Sequence, residues 1–412
     1  MIPLSAYAQP MSDWTSWAGP NRDFSVGLPS QSKILNRPRL EWEHSIGSGH
    51  SAVVVEGNAC YCQFSRGKTE YVQRLDLKDG RLVWEASYPV EFASDRFPGP
   101  HATPALSNGR LVTASIDGEV RAFDVSTGNI EWRVDLRRKF ATTIPQSGYA
   151  SSPLIVGDLV VVTTLGKAQR VETEDFQPPA EGDPPGAVGL DLASGRTVWQ
   201  SPSFRSSHSS PTLIVVGKKP VVCVHGMFDL VGIDPRSGAI LWTHRLRDRA
   251  SDNVAFTPLW DSERQQLIIS HGYCDLGAQA IGLSEDGGHW TTKQNWSNRT
   301  MRIVYTNAVI VSDTLVGTSA TANSLLVGLN CLDGSTRFRK RGLTNANFIR
   351  LDQSLMILED EGMLRYGTLS ENGFVQRWQL QTSANKTWTV PTWNDRRLLV
   401  RSKTTLQAFA FD

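Results

Sequence analysis

One pattern recurs along this chain in a phase that chance does not give: an apolar residue, Asp, three residues, Gly, three more, then Trp. Four copies are clean, placing Asp76, Asp124, Asp191 and Asp234 in register with Gly80, Gly128, Gly195 and Gly238 and with Trp84, Trp132, Trp199 and Trp242. Weaker copies end at Trp296, at Phe338 (with Asn330 and Gly334) and at Trp378 (with Gly373). The spacing is about 40 to 50 residues, lengthened once by an insertion, the range of architectures whose units cannot bury a hydrophobic face alone. A length of 412 residues would otherwise suggest several ordinary domains; the repeat points instead to one closed core.

Within the fourth unit, SPTLIVVG, PVVCVHG, DLVGID and AILWTHRL are short β-branched runs separated by Gly, Pro, Lys or Ser, which reads as four strands, the composition of a propeller blade. The repeated Asp can accept from backbone N–H groups of the following turn, and the Gly supplies a positive φ at no steric cost. The Trp falls on the outer strand, where a flat ring fills the wedge between neighbouring blades. The last segment, LLVRSKTTLQAFAFD, supplies three strands but stops before any Gly turn or Trp, while Arg39-Leu40-Glu41-Trp42 reads as an outer strand with no turn before it. Joined, they make an eighth blade and remove the free sheet edges. The expected fold is therefore all-β: an eight-bladed β-propeller of four-stranded antiparallel blades, closed by pairing N- and C-terminal strands in one blade. Its structural docking residues are Trp42, Trp84, Trp132, Trp199, Trp242, Trp296, Phe338 and Trp378, with Gly80, Gly128, Gly195, Gly238, Gly334 and Gly373.

Charge and cysteine usage narrow the function classes. Forty-two basic against forty-one acidic residues leave +1, so no strong pull toward nucleic acid or anionic lipid is expected. No apolar run reaches the roughly 18 residues that a spanning helix needs. The five cysteines are odd in number and scattered, which argues against a disulfide scaffold, and Cys60 and Cys62, two apart in a strand, face one side as small buried apolar residues. At the start, Ala6-Tyr7-Ala8 has the form of a secretory cleavage site, so residues 1–8 read as the remnant of a signal peptide and the location as periplasmic or secreted. Residues 9–37 form an N-terminal extension and 38–412 the propeller.

The Asp–Gly–Trp repeats resemble those of the PQQ-like (pyrroloquinoline quinone) β-propeller family, which includes the BamB type and the propellers of quinoprotein dehydrogenases. The extension, with Trp14, Trp17, Gly19, Pro20 and Arg22 in DWTSWAGPNR, resembles the W-x-x-W-x-G-P-x-R lead-in of bacterial members. The resemblance implies a fold rather than a chemistry, because the marked residues are structural. Quinoprotein alcohol dehydrogenases of the family carry adjacent cysteines against the quinone, a carboxylate-rich calcium site and a catalytic Asp. This chain has Cys60-Tyr61-Cys62 instead, and no run that matches the catalytic segment.

A ligand site on such a fold gathers where the innermost strands begin and the second strands end. By the repeat, the innermost-strand starts bring His50, His101, Tyr149, His208 and Asn253 to equivalent positions, and the second-strand ends add His225 and His271, from CVHGMFDL and ISHGYCDL. These seven form the candidate funnel rim; polar plugging, a ligand funnel and a histidine-bound metal all remain open for them, and no catalytic residue is assigned. The long connections 86–100, 137–148 and 166–186 are expected on the same face, with Arg137, Arg138, Lys139 and Arg205 opposite Glu172, Glu174 and Asp175. The first functional expectation is a non-catalytic scaffold, monomeric and without cofactor, that presents this face to another protein or a ligand. The alternative is a PQQ-dependent oxidoreductase of an alcohol or sugar, with PQQ and calcium in the funnel.

Overall fold

The structure is a computed structural model and describes residues 13–28, 35–91, 97–145, 147–164, 166, 176–248, 254–272, 276–320, 325–382, 386 and 388–411. The repeats fold into eight antiparallel sheets arranged as the blades of one propeller. Blade 1 runs through Val54–Glu56, Ala59–Arg66, Thr69–Asp76 and Leu82–Pro89, and blades 2 to 7 repeat that order, innermost strand first. Blade 8 consists of Thr392–Asn394, Arg397–Arg401 and Thr405–Ala410, completed by the N-terminal Arg39–Ser45, which pairs with Thr405–Ala410 in antiparallel register. The closure inferred from the truncated last repeat is therefore present, and Trp42 stands opposite Ala408.

Each outer strand carries a register shift just before its Trp or Phe, as between Ile130 and Trp132 or between Leu40 and Trp42. Such a bulge re-aims the side chain that follows it. The ring then lies against the turn glycine of the next blade. A Cβ at Gly128 would stand 2.7 Å from the Trp84 ring, one at Gly195 2.7 Å from Trp132, and one at Gly80 2.7 Å from Trp42. Those glycines have φ of +75°, +68° and +70°, so the position is closed to a side chain on two grounds. The turn itself is held by the repeated Asp: Asp124 Oδ1 accepts from the backbone N–H groups of Ser126 and Thr127, and the Gly128 N–H donates to the Asp124 carbonyl. The indole N–H of the preceding blade then finds a carbonyl beside that turn, Trp42 at Leu77 (3.0 Å), Trp132 at Leu192 (2.9 Å) and Trp296 at Cys331 (2.8 Å). Trp242 departs from this. Blade 5 replaces the short turn with a long hairpin, Gly277–Asp286 and His289–Asn298, and the buried Trp242 Nε1 has no acceptor.

Three readings of the connections need correction or limits. Residues 86–89 belong to the outer strand of blade 1, because its ladder with Thr69–Asp76 continues to the Thr69–Pro89 pair. Residues 136–140 form one helical turn capped by Asp135, whose carboxylate accepts from the N–H groups of Arg137 and Arg138. Arg137 and Arg138 pair with Glu91 and Asp135. Glu172, Glu174 and Asp175, like residues 1–8 and Cys274, lie outside the described residues. Cys60 and Cys62 are free, fully buried and in the same core cluster. Among the described residues no helix is long and apolar enough to cross a membrane.

The N-terminal extension has a placement that no repeat could foretell. Residues 13–28 cross the end of the channel where the innermost strands finish. The Trp14 carbonyl accepts from Val55 N–H in blade 1, Thr15 from Leu106 in blade 2, and Phe24 from Arg350 in blade 7. Ser25–Val26 then adds a fifth, parallel strand to the innermost edge of blade 7. Trp14 and Phe24 are buried by this crossing, and Trp17 stacks edge-on against Phe24 with centroids 5.3 Å apart.

Candidate functional site

Where the innermost strands begin, the channel opens into a funnel with a cavity of about 150 Å³. Its wall holds His50, His101 and His208, each four residues before the innermost strand of blade 1, 2 or 4, together with Phe97, Tyr305 and Trp388; Trp17 of the extension forms the floor. The His50 imidazole stacks on Trp388, with centroids 5.1 Å apart and planes 19° from parallel. It also stands 5.3 Å from the His101 ring, and Phe97 lies 5.8 Å from Trp388 and 6.3 Å from Tyr305. Small residues, Ser147, Ala150, Ser152, Ser210 and Ala255, line the remainder. Among the described residues the lining holds no carboxylate.

The histidines of this wall are neutral. Burial, followed by the neighbouring His101 and the cations Arg401 and Lys403, pushes His50 down to about 3. Burial pushes His101 and His208 down to about 4. His101 Nε2 faces the Phe97 carbonyl at 3.1 Å, so that nitrogen carries the proton, and His208 Nε2 meets the Ser147 hydroxyl, which can donate or accept, at 3.1 Å. The site thus offers aromatic faces and neutral hydrogen-bonding edges inside a cup that is open on one side.

Three other positions from the repeat alignment do not join the cup. Tyr149 is fully buried in the core between blades 2 and 3, where its hydroxyl donates to the Thr163 carbonyl at 2.9 Å. Alternation along the chain turns its neighbour Ala150 to the funnel instead. His225 and His271 are buried and pair with each other, Nε2 to Nε2 at 3.1 Å. His225 Nδ1 lies 3.1 Å from the Phe256 carbonyl and so holds a proton, which leaves His271 Nε2 as the donor to His225 Nε2. Asn253 lies outside the described residues. Phe97, Tyr305 and Trp17 were not singled out by the repeat, because they sit in connections or the extension and share no register, whereas Trp388 stands four residues before Thr392, the offset of His50 before Val54, and was within reach of the repeat. The available signal was composition, since aromatic residues in polar connections are the residues an exposed loop does not need.

Among the described residues no group of three or more His, Cys, Asp or Glu is disposed to hold a metal ion. Calcium takes six to eight oxygen ligands, and a funnel wall of imidazoles, rings and serines does not fit that donor set. PQQ held on calcium therefore does not match the described residues of this cup.

Comparison with known proteins places the chain among relatives of both kinds. A family model described as outer membrane protein assembly factor BamB matches residues 68–340. The chain is 32% identical over 132 residues to the assembly factor BamB of Bordetella pertussis, covering 31% of this chain and 28% of that protein. It is 24% identical over 214 residues to the quinohemoprotein alcohol dehydrogenase ADH-IIG of Pseudomonas putida, covering 49% of this chain and 26% of the dehydrogenase. The matched stretches thus span little more than a quarter of either relative. Among solved structures, BamB of Moraxella catarrhalis aligns with a TM-score of 0.60 at 18% identity, over 92% of this chain and 98% of that one. Quinohemoprotein alcohol dehydrogenase of Comamonas testosteroni aligns at 0.66 and 11% identity, over 98% and 81%. With the eight blades and their Asp–Gly–Trp turns in place, the chain belongs to the PQQ-like repeat family described as outer membrane protein assembly factor BamB.

Proposed function

We propose that this protein is a non-catalytic binding propeller whose funnel receives an aromatic side chain of a partner protein docked on the face where the innermost strands begin. The observation that carries this reading is the funnel lining: four aromatic rings and three neutral imidazoles around about 150 Å³, closed below by Trp17. A cavity of about that size accommodates a single benzene ring. Among its described residues the wall offers no general base of ordinary basicity and no nucleophile beyond serine and tyrosine hydroxyls, which suits holding a ring rather than transforming one. Relatives named as outer membrane protein assembly factors support a partner protein as the carrier of that ring, and with it a periplasmic or external location.

Titrating the full chain with phenol or indole while following tryptophan emission tests the reading, because Trp17 and Trp388 both face the cavity. Saturable quenching that is lost in Trp388→Ala is the expected result; no saturation at millimolar ligand overturns it. The second reading, an oxidoreductase, draws on the quinohemoprotein relatives. A parallel titration with PQQ and calcium discriminates the two: calcium-dependent saturation in the micromolar range favours the enzyme, and its absence with aromatic binding intact favours the scaffold.

A further inference from the structure

Behind the funnel wall lies a charge that no described residue balances. Arg401 ends the second strand of blade 8 and is 1% exposed. Its Nη1 donates to the carbonyls of Ser51 (2.6 Å) and Gln63 (2.7 Å), while Nε and Nη2 have no acceptor. Among the described residues no carboxylate forms an ion pair with it. Buried cations are ordinarily matched by an anion, since carbonyl dipoles recover only part of the lost hydration. Burial accordingly lowers the Arg401 guanidinium to about 10, still charged at neutral pH.

That charge acts on the funnel. Arg401 holds the carbonyl of Ser51, the residue after His50, and a Cβ at Gly49, the residue before it, would stand 2.6 Å from Nη2. The charged groups acting on His50 besides its neighbour His101 are Arg401 and Lys403, both cations. Arg401 also acts on His101.

Two electrostatic effects oppose each other in such a cup. Aromatic faces attract a cation, but only within about 6 Å of the ring centroid. A monopole decays as the inverse of distance, and a buried one is screened less than a surface charge. Among the described residues the unpaired guanidinium therefore makes the potential over the cavity more positive, and the rings set the shape.

The geometry points to an acidic aromatic segment as the occupant: we propose that the funnel selects a partner residue whose ring is flanked by carboxylates, with Arg401 as the determinant of that preference. The proposal rests on the reading of the funnel as an aromatic-binding cup, and its test separates the two.

Three capped peptides of one length, Asp-Phe-Asp, Ser-Phe-Ser and Lys-Phe-Lys, are titrated calorimetrically into the full chain at low salt, with phenylacetate as a fourth probe. The expected order is acidic, then neutral, then basic, with at least a tenfold gap between the first and last. In Arg401→Gln that gap closes while the neutral peptide binds as before. Equal affinities, or preference for the basic peptide, overturn charge selection and leave the aromatic cup standing. Failure of all three peptides to bind overturns both readings. Phenylacetate binding as tightly as the acidic peptide overturns the polypeptide source in favour of a free aromatic acid. If Arg401→Gln does not fold, as judged by its melting, the order of affinities in the unaltered protein decides the question alone.

Discussion

The Trp17 indole donates to the hydroxyl of Thr257 at 2.8 Å, tying the N-terminal extension to the start of blade 5 across the width of the channel. Through this bond the extension serves as the floor of the funnel rather than as a loose leader. Blades 1, 2 and 7 anchor the same segment through backbone hydrogen bonds, so its position does not depend on Trp17 alone. Trp17→Ala should therefore leave the propeller folded while removing the floor. A half-buried indole supplies less than a fully buried one, so the expected loss is about 2 kcal/mol. Thr257→Val, which removes only the bond, should cost about 1 kcal/mol. Urea titrations of both variants check the ratio, and aromatic binding should weaken in the first far more than in the second.

Acid should destabilise the protein well before its carboxylates titrate. His50, His101, His208, His225 and His271 all lie below the ordinary value of 6.5 in the folded chain, held there chiefly by burial. A depressed imidazole stays neutral in the fold while the unfolded chain takes up the proton. The stability they contribute is thus complete above pH 6.5 and is lost as the pH falls toward 3 to 4. At pH 5.5 each ring should cost roughly 1 kcal/mol. Melting temperatures between pH 7.5 and 5 should fall accordingly. The slope should flatten in the double variant His225→Gln, His271→Gln, whose pair is the most deeply buried.

Glu70 works in the opposite sense. Its carboxyl is buried between blades 1 and 2, beside Asp117, and burial above all pushes it up to about 8. One oxygen accepts from the Ile116 N–H at 2.9 Å, and nearby the Arg121 guanidinium stacks over the Tyr88 ring at 3.6 Å. A raised carboxyl keeps its proton in the fold while the unfolded chain releases it above pH 4.5, so stability is lost as pH rises from there toward 8. Glu70→Gln retains the acceptor and removes the titration. It should stabilise the protein by on the order of 2 kcal/mol at pH 8 and change little at pH 4.5. Equal gains at both pH values would mean that packing, not ionisation, is at work.

The fold was legible because its determinants are local and repeated. Asp124 and Gly128 shape a turn within five residues, and Trp132 follows at a fixed offset, so the phase can be read without knowing what the ring touches. Closure was legible for the same reason, since Trp42 lacked a turn before it and the last repeat lacked a Trp after it. The funnel was half legible. His50, His101 and His208 stand four residues before their innermost strands, but Tyr149 stands five before Leu154 and turns inward, because one residue of slip in an extended segment exchanges wall for core. The partners that make the cup specific are set by contacts across the chain: Trp388 meets His50, and Trp17 meets Thr257, 240 residues away. Arg401 is a similar case, an end-of-strand residue whose significance lies in the absence of a counter-charge.

Trp132 and Trp242 offer a matched test of what the indole N–H adds to the blade contact. Both are buried to a similar extent, and both follow the same bulge in the outer strand. Trp132 donates to the Leu192 carbonyl, whereas Trp242 faces the long hairpin of blade 5 and donates to nothing. Replacing each by Phe shrinks the ring equally, so the transfer and cavity costs are shared. The Trp132 variant in addition leaves a carbonyl without its donor, a further cost of about 1 to 2 kcal/mol. In the Trp242 variant a buried unsatisfied N–H disappears, a gain of similar size that offsets the lost area. The difference between the two should therefore approach about 3 kcal/mol, with Trp242→Phe near neutral. Chemical denaturation of the pair measures it directly. Equal losses would show that ring area alone holds the blades together and that the conserved geometry of the indole N–H at the other turns contributes nothing to stability.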